Sequence, residues 1–198
     1  MQQATLDGFT EPVAVKGERI ANDYYPTPDA LTLALLNKTA INGSVFEPCA
    51  GNGAISNVLH AAGCQVVSSD IIWTQDCPGD ATTKEFWDFW TTGGELPNWE
   101  PQWVVTNPPF SVAEKIIPFA WDRSSVGIAF LLRLSYMEPT KGRAKWLSEH
   151  DDHLRFIIPV SPRPRFRRDT KGSDSVTCAW FVWRHDWSWK EQGIDSPF

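Results

Sequence analysis

Short apolar runs alternate with helical patterns along most of the chain. Stretches 44–47, 65–69, 103–106, 126–134, 155–160 and 177–184 are rich in β-branched and aromatic residues and have Gly, Pro, Asn, Asp or Ser at or near their ends. They read as strands. The stretch 126–134 is apolar almost throughout, as a strand buried on both faces of a parallel sheet is. Between these runs, 29–39, 56–62, 112–121 and 141–150 carry helical patterns. The alternation predicts an α/β chain with a doubly wound, mostly parallel sheet. Residues 1–22 lack periodicity and read as a loose arm before one domain over 23–198. Residues 73–102 are less regular, with a short helix expected after Asp80. The punctuation is explicit. Thr27 or Asp29 should cap the first helix around Pro28, and Asn42-Gly43 should end it. Gly63 closes the second helix and Ser111 should cap the third, which Pro118 should kink or shorten. The tail after Arg184 is expected to be peripheral.

Two loops stand out against this pattern. Trp103-Val104-Val105-Thr106 stops at Asn107-Pro108-Pro109-Phe110. Two prolines fix φ and remove two donors, so strand pairing must end there. The loop presents an amide, carbonyls without competing N–H groups, and an aromatic ring. That set suits a planar ligand bearing an amino group, whose two N–H bonds the Asn oxygen and a Pro carbonyl can accept while the ring stacks. A plain strand-ending turn accounts for the same residues. The second loop, Glu47-Pro48-Cys49-Ala50-Gly51-Asn52-Gly53, lies between a strand and a helix. Its glycines permit positive φ and close approach of backbone to a ligand. Asp70 ends the next strand, 19 residues after Gly51, where such folds bind a ribose diol; an exposed loop acid is the plainer alternative. In a 3-2-1-4-5 strand order the two loops flank one crevice.

Composition narrows the class. With 198 residues and 42% hydrophobic content, the chain can bury a full core. No apolar run is long enough to span a bilayer, and the amino terminus lacks the pattern of a signal peptide. Cys49, Cys64, Cys77 and Cys178 have no metal-site spacing, so reduced thiols, no metal and a cytoplasmic location are expected. Most of the 11 Trp should fill the core. The net charge of −6 is not that of a nucleic-acid binder, yet the cations cluster. Lys141, Arg143 and Lys145 lie in the segment 139–150. Arg163, Arg165, Arg167, Arg168 and Lys171 place five positive charges within nine residues of the segment 161–175. A solvated charged loop and a phosphate-contacting loop both fit that pattern.

With these residues in place, the chain resembles the S-adenosylmethionine-dependent amino-methyltransferases of nucleic acids. More narrowly it resembles small phage and prophage DNA adenine-N6 methyltransferases. The resemblance rests on Asn107-Pro108-Pro109-Phe110, the glycine loop, Tyr24-Tyr25-Pro26-Thr27-Pro28 ahead of it, Phe130 to Ser135, and the stretches Gly172 to Ser175 and Ala179 to Trp183. It implies a Rossmann-like class I methyltransferase fold, a seven-stranded sheet in the order 3-2-1-4-5-7-6 with strand 7 antiparallel and helices on both faces. It implies S-adenosyl-L-methionine as cofactor. Glu47, Pro48, Gly51 and Gly53 would wrap its methionine part, and Asp70 would hold the ribose. Ile71 would pack on the adenine, with Glu85 and Phe86 nearby. Tyr25, Thr27 and Pro28 would close over the methionine end beside Asn107. Asn107 and the Pro108 carbonyl would accept from the target amine, with Pro109 and Phe110 completing the loop and Phe110 stacking on the flipped base. DNA, or RNA as an alternative, would lie along Arg133, Lys141, Arg143 and the 163–171 cations. The same loop chemistry serves cytosine-N4 and protein glutamine methylation, and a catalytically silent module on this fold is the remaining alternative. The interval between the Asn-Pro-Pro-Phe loop and the arginine-rich loop is short for a recognition segment, which implies a short site, loose specificity or a partner subunit.

Overall fold

A computed structural model describes residues 25–70, 100–161, 166 and 177–197. Six strands form one sheet: β1 (Ser44–Glu47), β2 (Gln65–Ser68), β3 (Trp103–Thr106), β4 (Gly127–Arg133), β5 (Leu154–Pro159) and β6 (Cys178–Arg184). Their order is β2-β1-β3-β4-β6-β5. The pairs β1/β2, β1/β3 and β3/β4 are parallel. β6 runs antiparallel to both β4 and β5. These correspond to strands 2-1-4-5-7-6 of the expected order. The expected third strand falls in 71–99, outside the described residues, so the sheet described here has six strands rather than seven.

Among the described residues four α-helices accompany the sheet: α1 (Asp29–Leu36), α2 (Ala54–Ala61), α3 (Ala113–Arg123) and α4 (Lys141–His150). Alternation along the strands divides the core in two. Trp103 and Val105 point to one face with Leu31, Leu35, Ile55, Leu59, Leu131 and Trp180. Val104 points to the other with Ile116, Ile117, Phe130, Leu132, Phe181 and Trp183. Helices therefore cover both faces. Trp103, Trp180 and Trp183 are fully buried, and every described Trp is buried or half-buried, in keeping with a core role. Trp180 Nε1 also donates to the Leu31 carbonyl at 2.8 Å, fastening α1 to β6.

Several local expectations are corrected. α1 ends at Leu36, and neither Thr27 nor Asp29 caps it; its N-cap is Pro28 with no side-chain bond. Gly43, at φ 74°, turns the chain into β1 instead of ending α1. Val112, not Ser111, is the N-cap of α3. α3 continues through Pro118 to Arg123. Pro118 removes one backbone donor, but Ile116, Ile117, Ala120 and Trp121 around it are buried, and that apolar face holds the helix together. The tail is not peripheral. Trp189 Nε1 donates to the Leu154 carbonyl at 2.9 Å. Ser188 Oγ and the Lys190 N–H both donate to Asp152. The sequence gives no periodic signal for such point-to-point stitching. Among the described residues no helix is long and apolar enough to cross a membrane.

Close strand packing makes one position intolerant. A Cβ added to Gly127 would lie 2.3 Å from the Trp183 carbonyl oxygen and 3.1 Å from the Trp103 ring. Gly127→Ala is expected to cost more than the ~1–3 kcal/mol of ordinary overpacking, because the obstacle is backbone. Chemical denaturation of the variant against wild type checks it.

Candidate active site

The glycine loop leaves β1 at its carboxyl end. Gly51 and Gly53 both adopt left-handed backbone, at φ 55° and 77°, where a Cβ is disfavoured. The Gly53 N–H returns to the Ala50 carbonyl at 2.7 Å, closing the turn, and Gly53 then caps α2. β1/β2 pairing extends beside the loop through Ser69 N–H to the Glu47 carbonyl and Ala50 N–H to the Ser69 carbonyl, both at 2.9 Å. That ladder delivers Asp70 to the loop. Its Oδ2 accepts from the Gly51 N–H at 2.7 Å, a charge-assisted bond that holds the glycine turn in shape.

Beneath the loop lies a buried polar chain. Glu47 is 1% exposed. Ser56 Oγ donates to Glu47 Oε2, and Ser56 Oγ and Ser68 Oγ are 2.6 Å apart. Burial pushes the Glu47 carboxyl well above its ordinary range, with the Ser56 bond opposing the shift. Burial, aided by Asp70, likewise raises the Cys49 thiol, so that thiol is not an activated nucleophile. A carboxyl held above its unfolded value stabilises the fold fully at acid pH, and this contribution is lost as pH rises through the folded-state value. Glu47→Gln is therefore expected to flatten this loss and to raise the melting temperature of the ligand-free protein in neutral buffer. Thermal denaturation of both proteins from roughly pH 4 to 9 checks the sign.

The second loop leaves β3, the strand next to β1. Asn107 is half-buried and Pro108 buried. Asn107 Nδ2 donates to Thr27 Oγ1 at 3.0 Å and to the Tyr25 carbonyl at 3.4 Å. A carbonyl only accepts, so the edge facing Tyr25 must be the NH2 group. The opposite edge of the amide is then the acceptor oxygen, Oδ1. The Pro109 carbonyl is taken by the Val112 N–H at 3.0 Å. Among the described residues no hydrogen bond goes to the Pro108 carbonyl. The loop thus presents two acceptors. Phe110 is half-buried, packed against the core on the α1/α2 side, and the Arg133 guanidinium stacks on its ring at 4.6 Å.

The structure thus brings Tyr25 and Thr27 to Asn107, with Pro28 next in the chain, and groups Glu47, Pro48, Gly51, Gly53 and Asp70 about one turn. Arg133 sits at the rim, and Lys141 is exposed at the start of α4. Arg143 already has protein partners. Its Nε pairs with Glu114 at 2.8 Å, and its Nη1 donates to the Ser135 and Tyr136 carbonyls, both at 3.0 Å. It braces α4 against α3, so an already engaged guanidinium stands where a phosphate-binding cation was expected. Ile71, Glu85, Phe86, Arg163, Arg165, Arg167, Arg168 and Lys171 lie outside the described residues. Sequence reading missed the Ser56 and Ser68 hydroxyls and the Thr27–Asn107 bond. The bond spans 80 residues, and no spacing rule reaches that far. Among the described residues no group of His, Cys, Asp and Glu could hold a metal ion.

No family model matches the chain, and no curated protein matches it by sequence. Solved structures do match in fold. The methyltransferase subunit of a type I restriction-modification system from Streptococcus thermophilus superposes with a TM-score of 0.57 at 11% identity, over 82% of this chain and 45% of that one. A Listeria monocytogenes protein assigned to the class I S-adenosylmethionine-dependent methyltransferases gives 0.58 at 14% identity, over 85% and 63%. The M protein of the type I restriction enzyme EcoKI gives 0.56 at 14% identity, over 80% and 43%. The chain spans less than half the length of the two restriction-system subunits. The chain shares its fold with these proteins.

Proposed function

We propose that the protein transfers a methyl group from S-adenosyl-L-methionine to the exocyclic N6 amine of adenine in DNA, with the base flipped out of the duplex. The observation that carries this reading is the Asn107 amide. Its NH2 is fastened to Thr27 and Tyr25, which leaves Oδ1 as an acceptor beside the Pro108 carbonyl, to which no hydrogen bond goes among the described residues. The residues present fit the cofactor. Left-handed Gly51 and Gly53 admit a ligand close to the backbone, and Asp70 is held at the same turn. Glu47, Gly51, Gly53 and Asp70 would hold it, with Tyr25, Thr27 and Pro28 on the Asn107 side. When bound it supplies an electrophilic methyl group.

The chain's own residues do the rest. An exocyclic amine is a poor nucleophile because its lone pair is delocalised into the ring. Accepting both N–H bonds at Asn107 Oδ1 and the Pro108 carbonyl favours a pyramidal nitrogen with its lone pair directed at the donor. Those bonds strengthen as positive charge develops on nitrogen, so they stabilise the transition state above the ground state. Phe110 would be the stacking surface for a flipped base, which requires the Arg133 guanidinium, over its ring at 4.6 Å, to move aside, where it is a cation for the adjoining phosphate. The fold shared with restriction-system methyltransferase subunits favours a DNA substrate, and the short interval between the Asn-Pro-Pro-Phe loop and the arginine-rich loop favours a role for a partner in site recognition. The test is incubation with methyl-labelled cofactor and, separately, duplex DNA, single-stranded DNA, RNA and protein. The reading expects label in DNA. Label confined to RNA or protein would redirect the substrate while keeping the loop chemistry.

A further inference from the structure

We infer that Thr27 is a positioning residue that couples occupancy of the cofactor crevice to the orientation of the Asn107 amide; this rests on the methyltransferase reading above. Thr27 is 5% exposed, and its hydroxyl accepts from Asn107 Nδ2 at 3.0 Å. A hydroxyl has two acceptor pairs and one proton to donate. Accepting from Asn107 leaves that proton without a protein acceptor among the described residues, and a buried donor calls for one. The element that offers it borders the Asn107 loop, which leaves the strand beside the glycine loop. A cofactor of this class carries a carboxylate, the acceptor such a donor suits.

The frame around Thr27 is stiff enough to transmit an effect. Pro28 follows it. The Leu31 N–H bonds to the Pro28 carbonyl at 2.9 Å, and the Leu31 carbonyl is held by Trp180 Nε1 at 2.8 Å. Thr27 therefore stays in place against the sheet when a ligand arrives. A hydroxyl that donates becomes a stronger acceptor, because chained hydrogen bonds polarise one another. Engaging the Thr27 proton tightens its hold on the Asn107 NH2 and so fixes Oδ1 for the amine. The second anchor, the Tyr25 carbonyl, is longer at 3.4 Å and has no proton to pass on. Linkage is reciprocal: an amide that supports Thr27 must also support ligand binding. A latch that only braced the loop would not produce that coupling.

The experiment is a double-mutant cycle read by calorimetric binding of S-adenosylhomocysteine to the full chain, so it needs no turnover. Thr27→Val is expected to weaken binding about tenfold and Asn107→Ala about fivefold, within the usual range of coupling between sites. The double variant should bind no more weakly than Thr27→Val alone, and Thr27→Ser should stay near wild type. Thermal melts verify that each variant is folded. Should Thr27→Val melt early, the Ser background carries the test, and Asn107→Ala must weaken binding there as it does in wild type. Effects that multiply in the double variant, an Asn107→Ala protein that binds like wild type, or a Thr27→Ser protein as weak as Thr27→Val would overturn the proposal. Wild type that fails to bind the probe at all overturns the methyltransferase reading instead, a different and recognisable result.

Discussion

Asn107→Ala is expected to lower the rate of methyl transfer by about 10²–10³-fold, the usual consequence of deleting one preorganised polar group that acts on developing charge. The loss should fall on kcat, because the Oδ1 contact strengthens only as the amine becomes cationic. Cofactor affinity should change far less. Asn107→Asp separates the two edges of the amide. It keeps an acceptor oxygen toward the substrate, but it sets a carboxylate against the Tyr25 carbonyl, which now accepts an Asn N–H at 3.4 Å. Two acceptors then face one another, so the aspartate variant should show a smaller rate loss than alanine together with a lower melting temperature. Steady-state kinetics of the three proteins, with cofactor binding measured alongside, checks both statements.

Trp180→Ala is expected to remove about 3–5 kcal/mol of stability, a large share of what a domain of this size has. Trp180 is fully buried at the centre of β6, and its Nε1 is the donor that ties α1 to the sheet. Truncation leaves a cavity and removes the bond from Nε1 to the Leu31 carbonyl. Trp180→Phe keeps most of the apolar volume and loses only the bond, so it should cost about 1–3 kcal/mol. Denaturant unfolding of the two variants distinguishes the contributions. The phenylalanine variant carries a functional consequence as well. α1 begins two residues after Thr27, so loosening it should weaken cofactor binding even where the protein remains folded.

The strands were legible because each is a short run with β-branched or aromatic residues and turn-forming residues nearby, and in β3, β4 and β6 near-complete burial leaves no competing polar pattern. Parallel order followed from the helical segments between them. The two loops were legible for the same local reason, since Gly51, Gly53, Pro108 and Pro109 restrict backbone in ways few other residues do. What escaped notice acts across the sequence. The Thr27 hydroxyl reads locally as a helix cap, yet it serves Asn107, because the two meet only when α1 docks beside β3. Ser56 lies on an unremarkable helix and becomes a partner for Glu47 only once α2 packs over β1. Arg143 sat in a basic run and looked available, but Glu114 on α3 and two carbonyls claim it. Pro118 failed to break α3 because four buried neighbours on one face outweigh one missing donor.

The measurement that tests the account most directly is the identity of the methylated nucleoside. The protein would be incubated with S-adenosyl-L-methionine and unmethylated duplex DNA, and the DNA digested and analysed by mass spectrometry. The account predicts N6-methyldeoxyadenosine, formed by wild type and reduced at least about a hundredfold by Asn107→Ala. Methylation at a ring carbon of a pyrimidine, or N6-methyldeoxyadenosine formed equally well by the alanine variant, would contradict it.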